Sequence, residues 1–253
     1  MGYEYRQAYE ATVDATVDEV WNAIATGPGI DSWFMGQTEV SGGMVRLSFG
    51  DYTPQQRITA SEPGHRFAYG EDPEPDGRFI AYDFLIEARS GGSTSLRLVA
   101  NGFLPGDDWA DEFDAMTKGG ALYFASLIEY LNHFAGRAGK QLTVFGPVVA
   151  DWNAAWPALG RALGISKRPD VGDDVKLAID GRPESGVVFF ANEHTVAVRT
   201  PDAFYRFVRG FAPGGGGPML AMHSLFAVDG MAGDVDMAAA ERSWAGWLAN
   251  AVG

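Results

Sequence analysis

The sequence predicts an α+β protein: a curved antiparallel sheet around one long C-terminal helix, built twice along the chain. Three observations carry this. Apolar residues recur with a period of two in five short runs between Met44 and Phe103. One longer run, Trp109 to Phe134, is spaced by threes and fours, the period of a helix with one apolar face. Short phrases of the first half then return, in order, in the second.

The elements follow in chain order. Tyr5 to Val13 alternates weakly and reads as a strand. Thr16-Val17-Asp18-Glu19 opens a helix, with Thr16 as N-cap and Glu19 completing a capping box. Val17, Val20, Trp21 and Ile24 share one face of it. Gly27-Pro28-Gly29 is expected to stop that helix, and Ile30 to Phe34 to form a short second helix or turn. Met44 to Phe49, Gln55 to Ala60, Arg66 to Gly70, Phe79 to Ala88 and Ser93 to Phe103 read as strands divided by Gly, Pro and Asp clusters. The long helix carries Trp109, Phe113, Met116, Gly120, Tyr123, Leu127, Leu131 and Phe134 on its apolar stripe.

The hairpin around Ser90-Gly91-Gly92 has a readable register. Its apolar faces coincide only if Ile86 opposes Leu96 and Phe84 opposes Leu98, since a one-residue slip sets Arg97 against Ile86. That requires an odd-length loop, three residues with a glycine at positive φ. Asp83 and Glu87 then point outward.

The second half repeats the grammar. Trp21-Asn22-Ala23 recurs as Trp152-Asn153-Ala154, an offset of 131. Val45-Arg46-Leu47 recurs as Val175-Lys176-Leu177, an offset of 130, and His65 with Phe67-Ala68-Tyr69 as His194 with Val196-Ala197-Val198, an offset of 129. The expected domains are 1–138 and 141–253, with the link near Gly136 to Lys140. The second copy is shortened, interrupted by a glycine loop from Pro213 to Pro218, and ends in a helix carrying Trp244, Trp247 and Leu248.

Composition narrows the function. The 253 residues include no cysteine, which excludes disulfides, thiolate catalysis and cysteine-bound zinc or iron–sulfur clusters. A net charge of −14 argues against nucleic acid and anionic membranes as partners. Residues 1–140 hold 10 basic and 21 acidic side chains against 9 and 12 in 141–253, so the nearly neutral second half is better suited to press on another protein surface, as in a homodimer. Neither a signal peptide nor a membrane-spanning run is present, and a cytoplasmic protein is expected.

The element order is the helix-grip arrangement. The phrase from Thr16 to Ile24, leading to Trp33-Phe34, resembles the opening of the SRPBCC (START/Bet v 1-like) superfamily, in particular the branch related to the C-terminal domain of the Hsp90 ATPase activator. Asp83-Phe84, the strand Thr94 to Leu98 running on to Gly102-Phe103, and the helix from Gly120 to Leu131 fit the same pattern. The resemblance covers residues 1 to about 135, and the rest only through the internal repeat. It implies a hydrophobic cavity between sheet and helix for a small apolar ligand, sometimes with cyclase or hydrolase chemistry, and in the chaperone branch partner binding. The activator's N-terminal Hsp90-docking domain has no counterpart before the first strand, so an Hsp90 role is not expected.

In such a fold the core and the cavity wall are one surface. Trp33, Phe34, Phe49, Tyr69, Tyr82, Phe84, Trp109, Phe113, Met116, Gly120 and Tyr123 are the expected lining set, most of them serving the core as well. A glycine inside a helix costs about 1 kcal/mol relative to alanine. Gly119-Gly120 therefore needs a reason, either close packing on the sheet or room for a ligand. The polar groups expected inside are the Tyr69 and Tyr82 hydroxyls, with Arg57 and Glu62 at the rim. Asp107, Asp108, Asp111, Glu112 and Asp114 read as helix-start acids rather than a metal site, and Glu71 to Asp76 as a solvated loop near the mouth. Four histidines show no ligand spacing, no Gly-x-Ser-x-Gly elbow occurs, and Gly214 to Gly217 lacks the Lys-Ser/Thr of a phosphate loop. No catalytic residue, metal or cofactor is expected. The leading expectation is a ligand-binding module. The alternatives are a polyketide-cyclase or aromatic-hydrolase-like enzyme using Tyr82 and a rim acid, and a chaperone-linked partner-binding protein.

Overall fold

The structure, a computed structural model, describes residues 2–106, 109–179, 181–210, 216–226 and 236–253, with the backbone alone at 111. It is an α+β chain with two antiparallel sheets, in a two-domain, helix-grip-like arrangement of compact units Met1–Gly139 and Lys140–Gly253. Asp107, Asp108, the Asp111 side chain and the first half of the Pro213 to Pro218 loop lie outside the described residues.

The first unit begins with strand β1 (Tyr3–Val13) and helix α1 (Val17–Ala25). The capping box is formed: the Thr16 N–H donates to Glu19 Oε2 at 2.8 Å, and the Glu19 N–H donates to Thr16 Oγ1 at 3.3 Å. Extended backbone at Thr26 ends α1, and its hydroxyl accepts from the Gly29 N–H at 3.1 Å to start α2 (Gly27–Asp31). Gly27-Pro28-Gly29 thus opens the second helix where the sequence reading made it a stop. The glycines are there for close approach. A Cβ on Gly27 would come within 2.3 Å of the Thr38 carbonyl oxygen, and one on Gly29 within 1.9 Å of that of Asn22.

Then come β2 (Gln37–Ser41), β3 (Met44–Ser48), β4 (Gln55–Glu62), β5 (Arg66–Gly70), β6 (Phe79–Ala88), β7 (Thr94–Leu104) and the 25-residue helix α3 (Trp109–His133). The sheet order is β1-β7-β6-β5-β4-β3-β2. Strand β2, at the sheet edge, was not foreseen from the sequence. Ile86 opposes Leu96 and Phe84 opposes Leu98, as the hairpin reading required. Arg89 and Ser93 close a three-residue loop by a 2.9 Å bond, with Gly91 and Gly92 at positive φ. Asp83 stands on the outer face, where Arg66 donates to both its oxygens at 2.9 Å.

The second unit contains β8 (Gly139–Val149), α4 (Trp152–Ala162), β9 (Asp174–Ile179), β10 (Arg182–Asn192), β11 (Thr195–Arg199), β12 (Ala203–Arg209), β13 (Gly217–Phe226) and α5 (Met237–Val252). Its sheet order, β8-β13-β12-β11-β10-β9, is that of the first unit less a counterpart to β2. The three repeated phrases fall on corresponding elements: α1 and α4, β3 and β9, β5 and β11. His65 and His194 correspond as well. Each backbone carbonyl accepts a 2.8 Å bond from a neighbouring strand, from the Ile86 N–H of β6 and the Arg209 N–H of β12. Those positions are turn carbonyls of the sheet, a backbone role that the two residues share.

Candidate functional site: a cavity under the long helix

Three cross-strand rows on the inner face of the first sheet form the floor of a cavity. Tyr5 faces Gly102, which faces Ile80. Gln7 faces Ala100, then Tyr82, then Tyr69. Tyr9 faces Leu98, then Phe84, then Phe67. The floor sinks along β7 because Ala100 and Gly102 are small among large neighbours. The Tyr5 ring lies over Gly102 so closely that a Cβ there would meet its hydroxyl oxygen at 2.7 Å.

The roof is the first half of α3, from Glu112 to Phe124. Trp33, Phe34, Met35 and Tyr52 close the side. Trp33 is fixed by its indole N–H, which donates to the Ala23 carbonyl at 2.9 Å, and Phe34 packs on Tyr123 at 4.4 Å between centroids. The enclosed space is about 370 Å³, within the range of roughly 300–1,000 Å³ usual for small-molecule sites. The second half of α3 buries Leu127 and Leu131 as ordinary core.

Of the expected lining set, Trp33, Phe34, Tyr69, Tyr82, Phe84, Met116, Gly120 and Tyr123 line this cavity. Phe49, Trp109 and Phe113 do not. The turn at Gly50 ends β3, and Phe49 is held in a bridge to Tyr52, leaving Tyr52 to reach the cavity instead. Trp109 stacks on Tyr3 at 3.9 Å, and Phe113 packs edge-on against Tyr3 at 5.1 Å and tilted against Tyr5 at 5.9 Å, one ring behind the wall. Sequence reasoning missed Tyr5, Gln7 and Tyr9 on β1, Met35 and Tyr52 at the side, and Phe124 on α3. The signal for the first three was the alternation of Tyr5, Gln7 and Tyr9 at every second position, which puts them on one face. Arg57 and Glu62, expected at the rim, are outside the lining, and Arg57 pairs with Asp72 at 3.1 Å.

The two helix glycines have different reasons. A Cβ on Gly120 would lie 2.9 Å from the Tyr9 hydroxyl and 3.4 Å from Gln7 Oε1, so this glycine admits the sheet's polar side chains to the helix. A Cβ on Gly119 would meet nothing within 4 Å, and this glycine lines the cavity, so it leaves room. Beside Gly120 runs a hydrogen-bond chain. The Tyr9 hydroxyl donates to Gln7 Oε1 at 3.1 Å, the Gln7 amide donates to Thr117 Oγ1, and Thr117 donates to the Phe113 carbonyl at 2.8 Å.

Electrostatics distinguish the other end. Burial pushes the phenols of Tyr69 and Tyr82 up, and the neighbouring phenols of Tyr69, Tyr5 and Tyr52 and the Glu71 carboxylate push Tyr82 further. Tyr5 is raised by burial, then by Glu71 and Glu112. Glu71 is itself raised by desolvation. The loop expected to be simply solvated is tied down. The Gly77 N–H donates to the Glu74 carbonyl at 2.8 Å, and Arg78 at its end bonds to Glu112 on the cavity roof. No described helix is long and apolar enough to cross a membrane.

No protein-family model matches the chain, and no curated protein matches it. Solved structures do. The Aha1 dimer from Colwellia psychrerythraea is 16% identical, with a TM-score of 0.42, covering 51% of this chain and 96% of that one. Protein BH1534 from Bacillus halodurans is 19% identical, with a TM-score of 0.43, covering 51% of this chain and 97% of that one. CalU16 from Micromonospora echinospora is 20% identical, with a TM-score of 0.35, covering 51% of this chain and 73% of that one.

Proposed function

We propose that the protein is a small-molecule binding protein whose first unit, a helix-grip domain of SRPBCC type, holds an apolar ligand between the sheet and α3. One observation carries the reading: a cavity of about 370 Å³, walled by aromatic side chains, into which an open helix position, Gly119, also faces. An ordinary core of this composition would close that space, since interiors pack to crystal-like density. The second unit, a shortened copy by its matching strand order, is the brace or contact surface. Phe145 and Val148 stand exposed on its edge strand β8, where a second copy of the chain would pair.

The test uses the intact chain and a fluorescent apolar dye. Leucine at position 119 fills the cavity from the helix side without meeting backbone, and the Gly119→Leu protein is expected to stay folded and lose dye binding by tenfold or more. Unchanged affinity in a folded variant would refute the cavity as the site. A second reading, acid–base chemistry beside the same site, is favoured by the half-buried Glu71, whose pKa burial raises, close to the Tyr82 phenol. It predicts a turnover that Tyr82→Phe abolishes while dye binding persists.

A further inference from the structure

Resting on that reading, we propose that the cavity has a polar pole, the hydroxyls of Tyr5, Tyr69 and Tyr82, which selects neutral apolar ligands bearing a carbonyl-type acceptor oxygen. The argument begins with hydrogen bonds the protein does not make. Buried phenols elsewhere in the chain are satisfied: Tyr130 donates to the Arg137 carbonyl at 3.1 Å and Tyr205 to Glu184 at 2.7 Å. The Tyr5 hydroxyl is sealed from solvent, on a residue only 5% exposed, and has no partner among the described residues. Among the described buried polar atoms left without a partner, it belongs to the residue lining this cavity. The hydroxyls of Tyr69 and Tyr82, on adjacent strands with ring centroids 5.4 Å apart, likewise make no hydrogen bond to the described protein. A buried hydroxyl left unpaired destabilises the fold, so the sealed Tyr5 hydroxyl, beside two further phenols of the cavity wall, points to a partner that arrives with the ligand.

The charge of that partner follows from its surroundings. Glu71 and Glu112 are near enough to raise the Tyr5 phenol, which disfavours an anionic oxygen beside them. Arg78 already bonds to Glu112, so that carboxylate is not reserved for a ligand cation. The phenols keep their protons at neutral pH and serve as donors, and a neutral ketone or quinone-type oxygen is the acceptor that suits them. At the other end the Tyr9 proton is committed to Gln7, so the two ends differ and the ligand has one orientation.

The test compares two probes of one shape, 9-fluorenone and fluorene, titrated into the full chain. Fluorene is the more apolar of the two, so a preference for the ketone cannot come from buried area. The expected result is about tenfold tighter binding of fluorenone, the worth of one or two hydrogen bonds. In Tyr5→Phe and Tyr82→Phe the ratio of the two affinities should shrink toward unity. Tyr5→Phe should also raise the melting temperature of the empty protein, because it removes an unpaired buried hydroxyl. Equal affinity for both probes in the parent protein overturns the polar pole and leaves the cavity reading standing. Binding of neither probe, together with no dye binding, overturns the cavity itself. Stronger binding of 9-aminofluorene or of fluorene-9-carboxylate than of fluorenone would also reject the neutral-acceptor assignment.

Discussion

Alanine substituted separately at Gly119 and Gly120 should have two different effects, although the residues are neighbours on one helix. Either change improves helix propensity by about 1 kcal/mol. At position 119 the new methyl meets nothing within 4 Å, so the whole gain should appear as stability. At position 120 the methyl would lie 2.9 Å from the Tyr9 hydroxyl, closer than Cβ contacts allow. The ring end must move, and its 3.1 Å bond to Gln7 is lost. That bond is worth roughly 0.5–1.5 kcal/mol net, which cancels the propensity gain. The expected gap between the variants is about 1 kcal/mol in favour of Gly119→Ala, or roughly 2–8 °C in melting temperature depending on the size of the cooperative unit. Urea melts followed by tryptophan fluorescence measure it. If Gly120→Ala proved as stable as Gly119→Ala, the assignment of close approach to one glycine and open space to the other would be wrong.

Three further outcomes are expected. Arg78→Ala removes the tie between the β5–β6 loop and α3. Because both partners are partly exposed, stability should change by less than about 1 kcal/mol while a bound dye dissociates faster in stopped flow, and an unchanged dissociation rate would count against the loop as a closure. His223 is fully buried, its Nδ1 accepts the Arg206 N–H at 3.2 Å, and burial, then the Arg206 charge, hold its pKa well below the ordinary 6.5. The unfolded chain therefore takes up a proton below pH 6.5 that the folded chain refuses, so this contribution is complete above that pH and falls as pH drops, by up to about 1.4 kcal/mol per pH unit. In His223→Gln the difference between urea midpoints at pH 7.5 and pH 5 should shrink, and an equal difference would exclude this histidine as its source. Residues 1–139, expressed alone, should unfold in one cooperative transition if the two units are copies of one independent domain, and an insoluble or molten fragment would argue otherwise.

The parts of the fold legible in the sequence were those where burial and chemistry agree locally. The β6–β7 register followed from apolar faces that coincide in one alignment only, and α1 from a cap that needs four residues. Strand β2 was hidden because Gln37 to Ser41 buries no side chain and so carries no apolar period. Its one signal was Gly42-Gly43 between Ser41 and Met44, a two-residue hairpin loop with both glycines at positive φ. The cavity lining was legible where it is aromatic and on strands with strong alternation. It was not legible at Phe49, where parity along β3 continues but the chain has already turned, nor at Tyr5, whose role depends on Gly102 across the sheet.

Two units with one strand order have different interiors, and particular residues account for it. In the first, α3 presents Gly120 to Tyr9 and Gln7 of β1 and leaves Gly119 open at the cavity, and space remains. In the second, α5 presents Trp244, Trp247 and Leu248. Trp244 packs 4.1 Å from His223 and 4.7 Å from Tyr205, and Trp247 lies 5.5 Å from Phe207. A Cβ on Gly146 of β8 would come within 3.0 Å of Leu248, so this glycine serves close packing and not a hollow. Among the described residues, these tryptophans pack into the core of the second unit. Filling that interior favours stability, since each buried aromatic ring contributes both area and ring contacts. Keeping the first one open forgoes that gain, and also leaves the Tyr5 hydroxyl unpaired. Among the described residues, then, the second unit's core is packed with rings while the first keeps a cavity under its long helix, and that difference is what the proposed ligand-binding role of the first unit requires.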